Sequence, residues 1–565
     1  MSYDLVIRNG TVVDGSGLGS YRADVGVAGD RIAFVGPIGE AGAEEIDAEG
    51  RVVTPGFIDG HTHLDAQVFW DATGSSSCWH GVTSAVMGNC GFTLAPVRAG
   101  QRALVVRNLE RAEDIDPAAL ATGIDWSFET FPEYLDAVDR LPKGINFAAQ
   151  VGHSALRTWA MGERAFEERA DEDDLTAMRG QLADSIRAGA IGFSTSRTQH
   201  HETSDNRPVA SRLAGWEEVA ALVGVLGELG TGIFETADAG MSATDPEARA
   251  RGLDRIRHLA ADTHVPITFG MVATSGSDYL LDFLDEAAAS GGRCIAQTHC
   301  RGISVLLSLR TRLPFDLIES WGPLRARPVE EQLAVLRHPE ERRAFVEAAV
   351  HADYSGWKGV GAQARPPDFE GIRVYRQGLP PNPAVADIAR QRGVHPAEAM
   401  IDLCVESDGD QLFIQPSLYQ QDEKVLLRAL RHPRTVMTFS DSGAHLSQIA
   451  DSSIHTHLLG HWVRDRQEFT LEEAVRMLTL APALAWGFTD RGLLRQGMAA
   501  DLNVFDPATV GPAVPRLVAD LPGGGLRLEQ RSVGFAATVV AGQVTIRDGV
   551  PTGATPGRLV RSRTA

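Results

Sequence analysis

Two imidazoles one residue apart, His61 and His63, close a short apolar run in Val53-Thr-Pro-Gly-Phe-Ile-Asp-Gly-His-Thr-His-Leu-Asp65. On an extended chain, positions i and i+2 face the same side, so both rings reach one point beyond the strand end. Neutral imidazoles so placed suit a divalent metal, although a bare His-x-His also occurs as an ordinary pair in a polar loop. Few other chemically capable groups follow apolar runs: Cys90 in Gly88-Asn-Cys-Gly91, His153, Arg197, Glu235, His299, and Asp441 in Thr435-Val-Met-Thr-Phe-Ser-Asp-Ser-Gly-Ala-His445. By itself Cys90 reads as a small buried hydrophobe. Asp441 by itself reads as a turn aspartate or a helix N-cap. A metal beside Cys90 would depress its pKa and hold it as thiolate.

These groups need a frame to bring them together. Apolar strand-like runs at 56–63, 82–90, 145–152, 190–194, 232–235, 265–271, 294–298 and 435–440 alternate with helical patterns such as 172–189, 216–229 and 249–262. Eight such runs predict an α/β fold, a closed (β/α)8 TIM barrel whose strand-end side chains meet around one cavity. Residues 3–54 read instead as short strands separated by Asn9-Gly10, Asp14-Gly15 and Gly29-Asp30 turns, and similar β runs return at 500–506 and 537–546. The interval 301–434 is too long for one crossover helix and carries Arg365-Pro-Pro and Gly378-Leu-Pro-Pro. It predicts an insertion over the barrel mouth, either a moving lid or added bulk.

The apolar strand running into His61-Thr-His-Leu-Asp65 resembles the amidohydrolase superfamily, and Gly88-Asn-Cys-Gly91 resembles its N-acyl-D-amino-acid deacylase (D-aminoacylase) branch. Segments 471–483 and 490–501 are similar to the stretch that leads from barrel back to sandwich in that superfamily, so the resemblance spans nearly the whole chain and is weakest over 301–434. It implies a composite β-sandwich from residues 1–54 and 491–565, flanking a metal-dependent barrel at 55–490. It further implies zinc on His61, His63, Cys90 and Asp441, with Cys90 in place of the carboxylated lysine that bridges metals elsewhere. None of the three lysines, Lys143, Lys358 and Lys424, ends an apolar strand. Asp441 is implied as the catalytic group, first base and then acid.

His153, in Val151-Gly-His-Ser-Ala-Leu-Arg157, resembles a branch segment and reads either as substrate-binding or as a loop brace. His445 reads either as a substrate-orienting group or as a partner for a loop carbonyl. Arg157, Arg197 and Arg301 are candidates to grip a substrate carboxylate through a bidentate fork.

One departure stands out. The fifth and sixth strands of the resembled branch each end on a zinc-binding histidine, whereas here 232–238 and 265–273 contain none. The site then keeps one zinc per chain on His61, His63, Asp441 and Cys90; or Glu235, Asp238, His200, His201 or His299 fills the gap; or hydrolysis is lost. Three functions compete on these residues: a metal-dependent hydrolase of a non-peptide amide such as an N-acyl-D-amino acid; a cyclic amide or imide hydrolase, disfavoured by the absence of a strand-end lysine; and a non-hydrolytic binding or assembly module, which the missing histidines would suit.

Composition narrows the field further. A net charge of −21 without a basic tract disfavours nucleic acid and anionic membranes as partners, and leaves a small molecule, in this reading one carrying a carboxylate. A homo-oligomer is compatible with it. Five scattered cysteines do not read as a disulfide framework, and the first residues lack a basic and apolar leader pattern, so the expected location is cytoplasmic.

Overall fold

The computed structural model describes residues 2–355, 366–416, 421–448 and 451–562; Lys358 and Arg365 lie outside the described residues. Eight parallel strands form one curled sheet: β1 (Phe57–Asp59), β2 (Val82–Met87), β3 (Asn146–Gly152), β4 (Gly192–Ser196), β5 (Ile233–Ala237), β6 (Ile267–Met271), β7 (Cys294–Thr298) and β8 (Thr435–Met437). They pair in chain order from β1 to β8. The ring closes one level higher, where Phe439–Ser442 runs parallel to His61–Thr62 with Phe439 opposite His61. Residues of β2, β3 and β4 are buried throughout. Such near-continuous apolar runs are what a parallel sheet covered on both faces requires.

Helices form where apolar spacing shifts to the helical period and where the ends are capped. Phe131–Arg140 opens on a Thr130/Glu133 capping box. Asp245 caps the N-terminus of Pro246–Thr263, and Gly230 closes Trp216–Leu229 in a left-handed conformation. These caps satisfy backbone groups that the helix itself leaves unpaired.

Strands from both chain ends share a second sheet of nine strands. Leu502–Phe505 pairs with Val52–Pro55 on one side and Phe535–Val540 on the other, and Tyr3–Val12 continues the sheet towards Tyr21–Ala28 and Arg31–Gly36. Its apolar face packs Leu5, Ile7, Val25, Val53, Leu502, Val504 and Val539 together.

The segment between β7 and β8 has a core of its own, in which Phe315, Trp321, Leu333, Val385, Met400 and Phe413 pack together. A three-stranded sheet, Val305–Leu307, Phe413–Gln415 and Arg373–Val374, ties its ends. All five cysteines are buried and unpaired. No helix among the described residues is long and apolar enough to cross a membrane.

Candidate metal centre

His61 and His63 sit just above β1, Cys90 in the turn after β2, and Asp441 in the extension of β8. His61 Nε2 lies 3.4 Å from Cys90 Sγ and 3.4 Å from Asp441 Oδ1, and His63 Nε2 lies 3.2 Å from Asp441 Oδ1. The ligand atoms of His61, His63 and Cys90 all fall within 4.8 Å of one another. A tetrahedral ion with bonds of about 2.0–2.3 Å separates its ligands by about 3.3–3.8 Å. The separations of 3.2–3.4 Å lie at the short end of that spacing.

The supporting contacts orient the rings. Gln297 of β7 donates through Nε2 to Thr268 Oγ1, which turns its Oε1 towards His61 Nδ1 at 2.6 Å. His61 therefore carries its proton on Nδ1 and presents a bare Nε2 to the cluster. His63 N–H donates to Ser442 O at 2.7 Å. Gly443 makes that approach feasible, since a Cβ there would lie 2.6 Å from His63 O. Cys90, Asp441 and His445 hold left-handed φ values of 54°, 57° and 53°. Non-glycine residues in that region cost on the order of 1 kcal/mol each, and such strain persists where surrounding contacts over-determine the backbone.

Two glutamates complete the surroundings. Glu235 of β5 is fully buried and accepts the Cys90 N–H through Oε2 at 2.8 Å. Glu113, from the segment after the helix Arg102–Leu109, is 1% exposed and places Oε2 3.5 Å from His63 Nε2. Burial pushes Glu235 up to about 8, despite the Cys90 N–H, and pushes Glu113 up to about 7 against the pull of His63. Burial also lifts the Cys90 thiol far above its ordinary range, assisted by Glu235, Glu113 and Asp441. His61 is driven down to about 3 by burial. Burial opposes charge on His63 too, but Glu113, Asp441 and Asp65 outweigh it and raise that ring to about 9. Asp441 is held below the carboxylate range, because His63, His61 and His445 overcome its desolvation.

Several atoms here have no hydrogen-bond partner among the described residues: both ring nitrogens of His63, Oε1 of Glu113, Oε1 of Glu235 and Oδ1 of Asp441. Buried polar atoms left this way cost about 1–3 kcal/mol each, more when charged. Acidic oxygens, imidazole nitrogens and a thiol aimed at one another fit a divalent cation, which would satisfy them together.

Residues 44–546 match the amidohydrolase family. The chain belongs to that family. D-aminoacylase of Alcaligenes xylosoxydans xylosoxydans is 30% identical over 516 residues, covering 90% of this chain and 89% of its own. N-acyl-D-glutamate deacylase of the same organism is 31% identical over 521 residues, with 90% and 88% covered. A solved D-aminoacylase with a binuclear metal centre superposes with a TM-score of 0.65 at 25% identity, over 99% of this chain and 100% of its own. The fold is accordingly the α/β barrel of the D-aminoacylase-like branch, and the activity class is hydrolysis of C–N bonds other than peptide bonds.

Within this amidohydrolase, the other sequence candidates divide. His445 joins the cluster, its Nε2 3.6 Å from Asp441 Oδ2 and 4.0 Å from Glu113 Oε2. His299 is buried and stacks on Phe439, with ring centroids 4.5 Å apart. His201 is held by Ser196 Oγ at 2.7 Å and packs on Phe92.

The three arginines go elsewhere. Arg157 is fully buried and donates to both oxygens of Glu218 at 2.6 and 2.5 Å. His153 donates to the same carboxylate at 2.9 Å and accepts from Thr195 Oγ1 at 2.8 Å. Of the two readings of His153, its contacts are those of a brace, and Arg157, a candidate for a substrate carboxylate, is paired within the protein: a buried guanidinium needs a counter-charge, and Glu218 supplies it. Arg301 pairs with Asp451 at 2.8 Å, and Arg197 donates to Ala214 O at 2.8 Å beside Arg255, Glu218 and Asp238.

Phe439, Gln297 and Glu113 escaped the sequence reading. Phe439 lies over His61 with centroids 4.0 Å apart, in space that Gly270 of β6 leaves open, since a Cβ there would come within 2.6 Å of the Phe439 ring. The sixth-strand position thus meets an aromatic ring where the family resemblance implied an imidazole.

A cleft of about 600 Å³ is lined by Asp114, Asp116, Arg312, Asp316, Leu446 and Ser447, which include the sequence neighbours of Glu113 and His445 but no residue of the cluster itself. A second cavity, of about 420 Å³, lies at the opposite ends of the strands, lined by Asn146, Ile191, Ile233 and Arg293. A small cavity of about 20 Å³ is lined by Asp441 itself, with Ser442, Gly443 and Asp451.

Proposed function

We propose that this amidohydrolase removes the acyl group from an N-acyl-D-amino acid, using one zinc ion per chain held by His61, His63, Cys90 and Asp441. The observation that carries this reading is the convergence of His61 Nε2, His63 Nε2 and Cys90 Sγ within 4.8 Å, with Asp441 Oδ1 3.2–3.4 Å from both imidazoles. A bound zinc ion supplies Lewis acidity towards the amide carbonyl and lowers the pKa of water. The D-amino-acid substrate class rests on the relatives, which carry such activities in their names.

The chain's own groups then have distinct tasks. Asp441 accepts the proton of the attacking water and returns it to the nitrogen of the departing amine. His445, 3.6 Å from Asp441 Oδ2, orients the carboxylate. Phe439 and Phe92, packed on His61 and His63, keep bulk water from the back of the cluster. Arg312, exposed on the cleft it shares with Asp114 and Asp316, whose carboxyls burial raises and its charge draws down, makes no hydrogen bond through its side chain among the described residues and takes the substrate carboxylate in place of the three inland arginines.

The test pairs metal content by plasma mass spectrometry with deacylation assays on N-acetyl-D- and N-acetyl-L-amino acids. About one zinc per chain, lost in His61→Ala, and D-selective turnover that falls by about 10³-fold or more in Asp441→Asn support the reading. Absence of metal after zinc supplementation, or unchanged turnover in Asp441→Asn, overturns it. Arg312→Ala is expected to raise KM about tenfold or more with kcat little changed, the pattern of lost ground-state binding.

A further inference from the structure

One of the two strand ends that lack an imidazole still carries a donor. β5 presents Glu235, whose Oε2 is fixed by the Cys90 N–H at 2.8 Å while Oε1 has no hydrogen-bond partner among the described residues. From the segment after the helix Arg102–Leu109, Glu113 brings Oε2 to 3.5 Å from His63 Nε2 and leaves Oε1 equally without a hydrogen bond among the described residues. Their relative exposures are 0% and 1%, so bulk solvent does not reach the unmet oxygens. The 3.5 Å separation also falls in the range of about 3.3–3.8 Å between two ligands of one tetrahedral ion.

We propose that Glu113 and Glu235 are themselves ligands to the bound cation, carboxylates supplying the donors that the absent fifth- and sixth-strand imidazoles do not. This deepens the metal centre proposed above and rests on it. Purely structural roles are a poor match for these side chains. A brace uses its hydrogen-bonding capacity, as Glu218 does with three donated bonds from His153 and Arg157. Glu113 and Glu235 each hold one buried oxygen in reserve, on the side of the cluster where His63 and Cys90 lie. The replacement also changes which ions the site prefers. Carboxylate oxygens favour harder ions than imidazole does, so Mn²⁺ and Co²⁺ should compete with Zn²⁺ better here than at a histidine-rich site.

The experiment compares wild type, Glu113→Gln, Glu235→Gln and His61→Ala, each stripped of metal and titrated with Zn²⁺ or Mn²⁺ against a chromophoric chelator. Gln keeps the volume and removes the anionic oxygen. The expected result is a loss of about tenfold or more in Zn²⁺ affinity in each Gln variant, with a larger loss for Mn²⁺. A measurement on the wild type alone covers the case of a variant that fails to fold. With glutamate side-chain carboxyls labelled with carbon-13, the infrared difference between metal-free and zinc-loaded protein should show shifted glutamate carboxylate bands, which a mere positioning role would leave in place. Wild-type affinity in both Gln variants, or unshifted glutamate bands, overturns the proposal. If wild type binds zinc and His61→Ala does not while the Gln variants bind normally, the glutamate assignment alone falls. If wild type binds no metal, the centre itself falls and this assignment with it.

Discussion

Two buried clusters of ionisable groups stand at the strand ends of the same barrel, and they are built on opposite principles. In the first, Glu218 receives His153 Nε2 at 2.9 Å and Arg157 at 2.6 and 2.5 Å, while Arg157 also donates to Glu168 O at 2.7 Å. Its charges cancel within the protein. In the second, Glu113, Glu235 and Asp441 crowd two imidazoles and a thiol, and each carboxylate keeps an oxygen without a hydrogen bond among the described residues. Burial alone does not mark a functional site, because both clusters are buried. The mark is unpaired carboxylate oxygen: the first cluster leaves only Arg157 Nε without a hydrogen bond among the described residues, whereas the second leaves an oxygen on each of three carboxylates, a pattern that a cation would complete.

That contrast can be broken by variants that touch one cluster and leave the other alone. Arg157→Ala strands Glu218 and should destabilise the fold by about 3–5 kcal/mol, read as a lowered urea midpoint, with zinc content per folded chain unchanged. A loss of zinc of similar size would show that the clusters are coupled.

The paired cluster also predicts an acid response. Burial opposes charge on Glu218, but His153 and Arg157 win and hold it down at about 2, below its ordinary value of 4.5. A depressed carboxylate contributes stability above its unfolded pKa and loses it as pH falls towards the folded value. Wild type should therefore lose stability between about pH 4.5 and 2 more steeply than Glu218→Gln, compared by thermal melts across that window.

Within the metal cluster, Gln297→Leu removes the acceptor that fixes the His61 tautomer. Zinc affinity should weaken about 10–100-fold, measured by chelator competition, with the metal-free protein melting close to wild type. The smallest effect is expected from Gly270→Ala. Its new Cβ would meet the Phe439 ring at 2.6 Å, so the ring tilts from its place over His61, costing about 1 kcal/mol of stability with a several-fold loss in zinc affinity.

Much of the architecture was legible in the chain. Eight apolar runs alternating with helical patterns gave the barrel, and the composite sheet was visible because β-type runs with turn residues appear at both ends. Strand bounds were less legible: β2 stops at Met87, and Cys90 lies in a turn beyond it. The insertion was visible as an interval too long for one crossover, yet nothing in its composition announced a separate apolar core built around Trp321 and Phe413.

Sequence by itself determined the His61 and His63 pair, since a spacing of two on an extended chain already aims both rings one way. It also exposed the missing histidines of the fifth and sixth strands, because strand ends can be read in order. Only the tertiary structure decided what surrounds the pair. Glu113 belongs to no periodic pattern, and it meets His63 because two segments fifty residues apart fold over the same strand end. Arg157 looked free to bind substrate until the fold set Glu218, 61 residues on, against it. Local spacing fixes the direction in which a side chain points; whether a charge is matched or left open depends on partners that only long-range packing brings within reach.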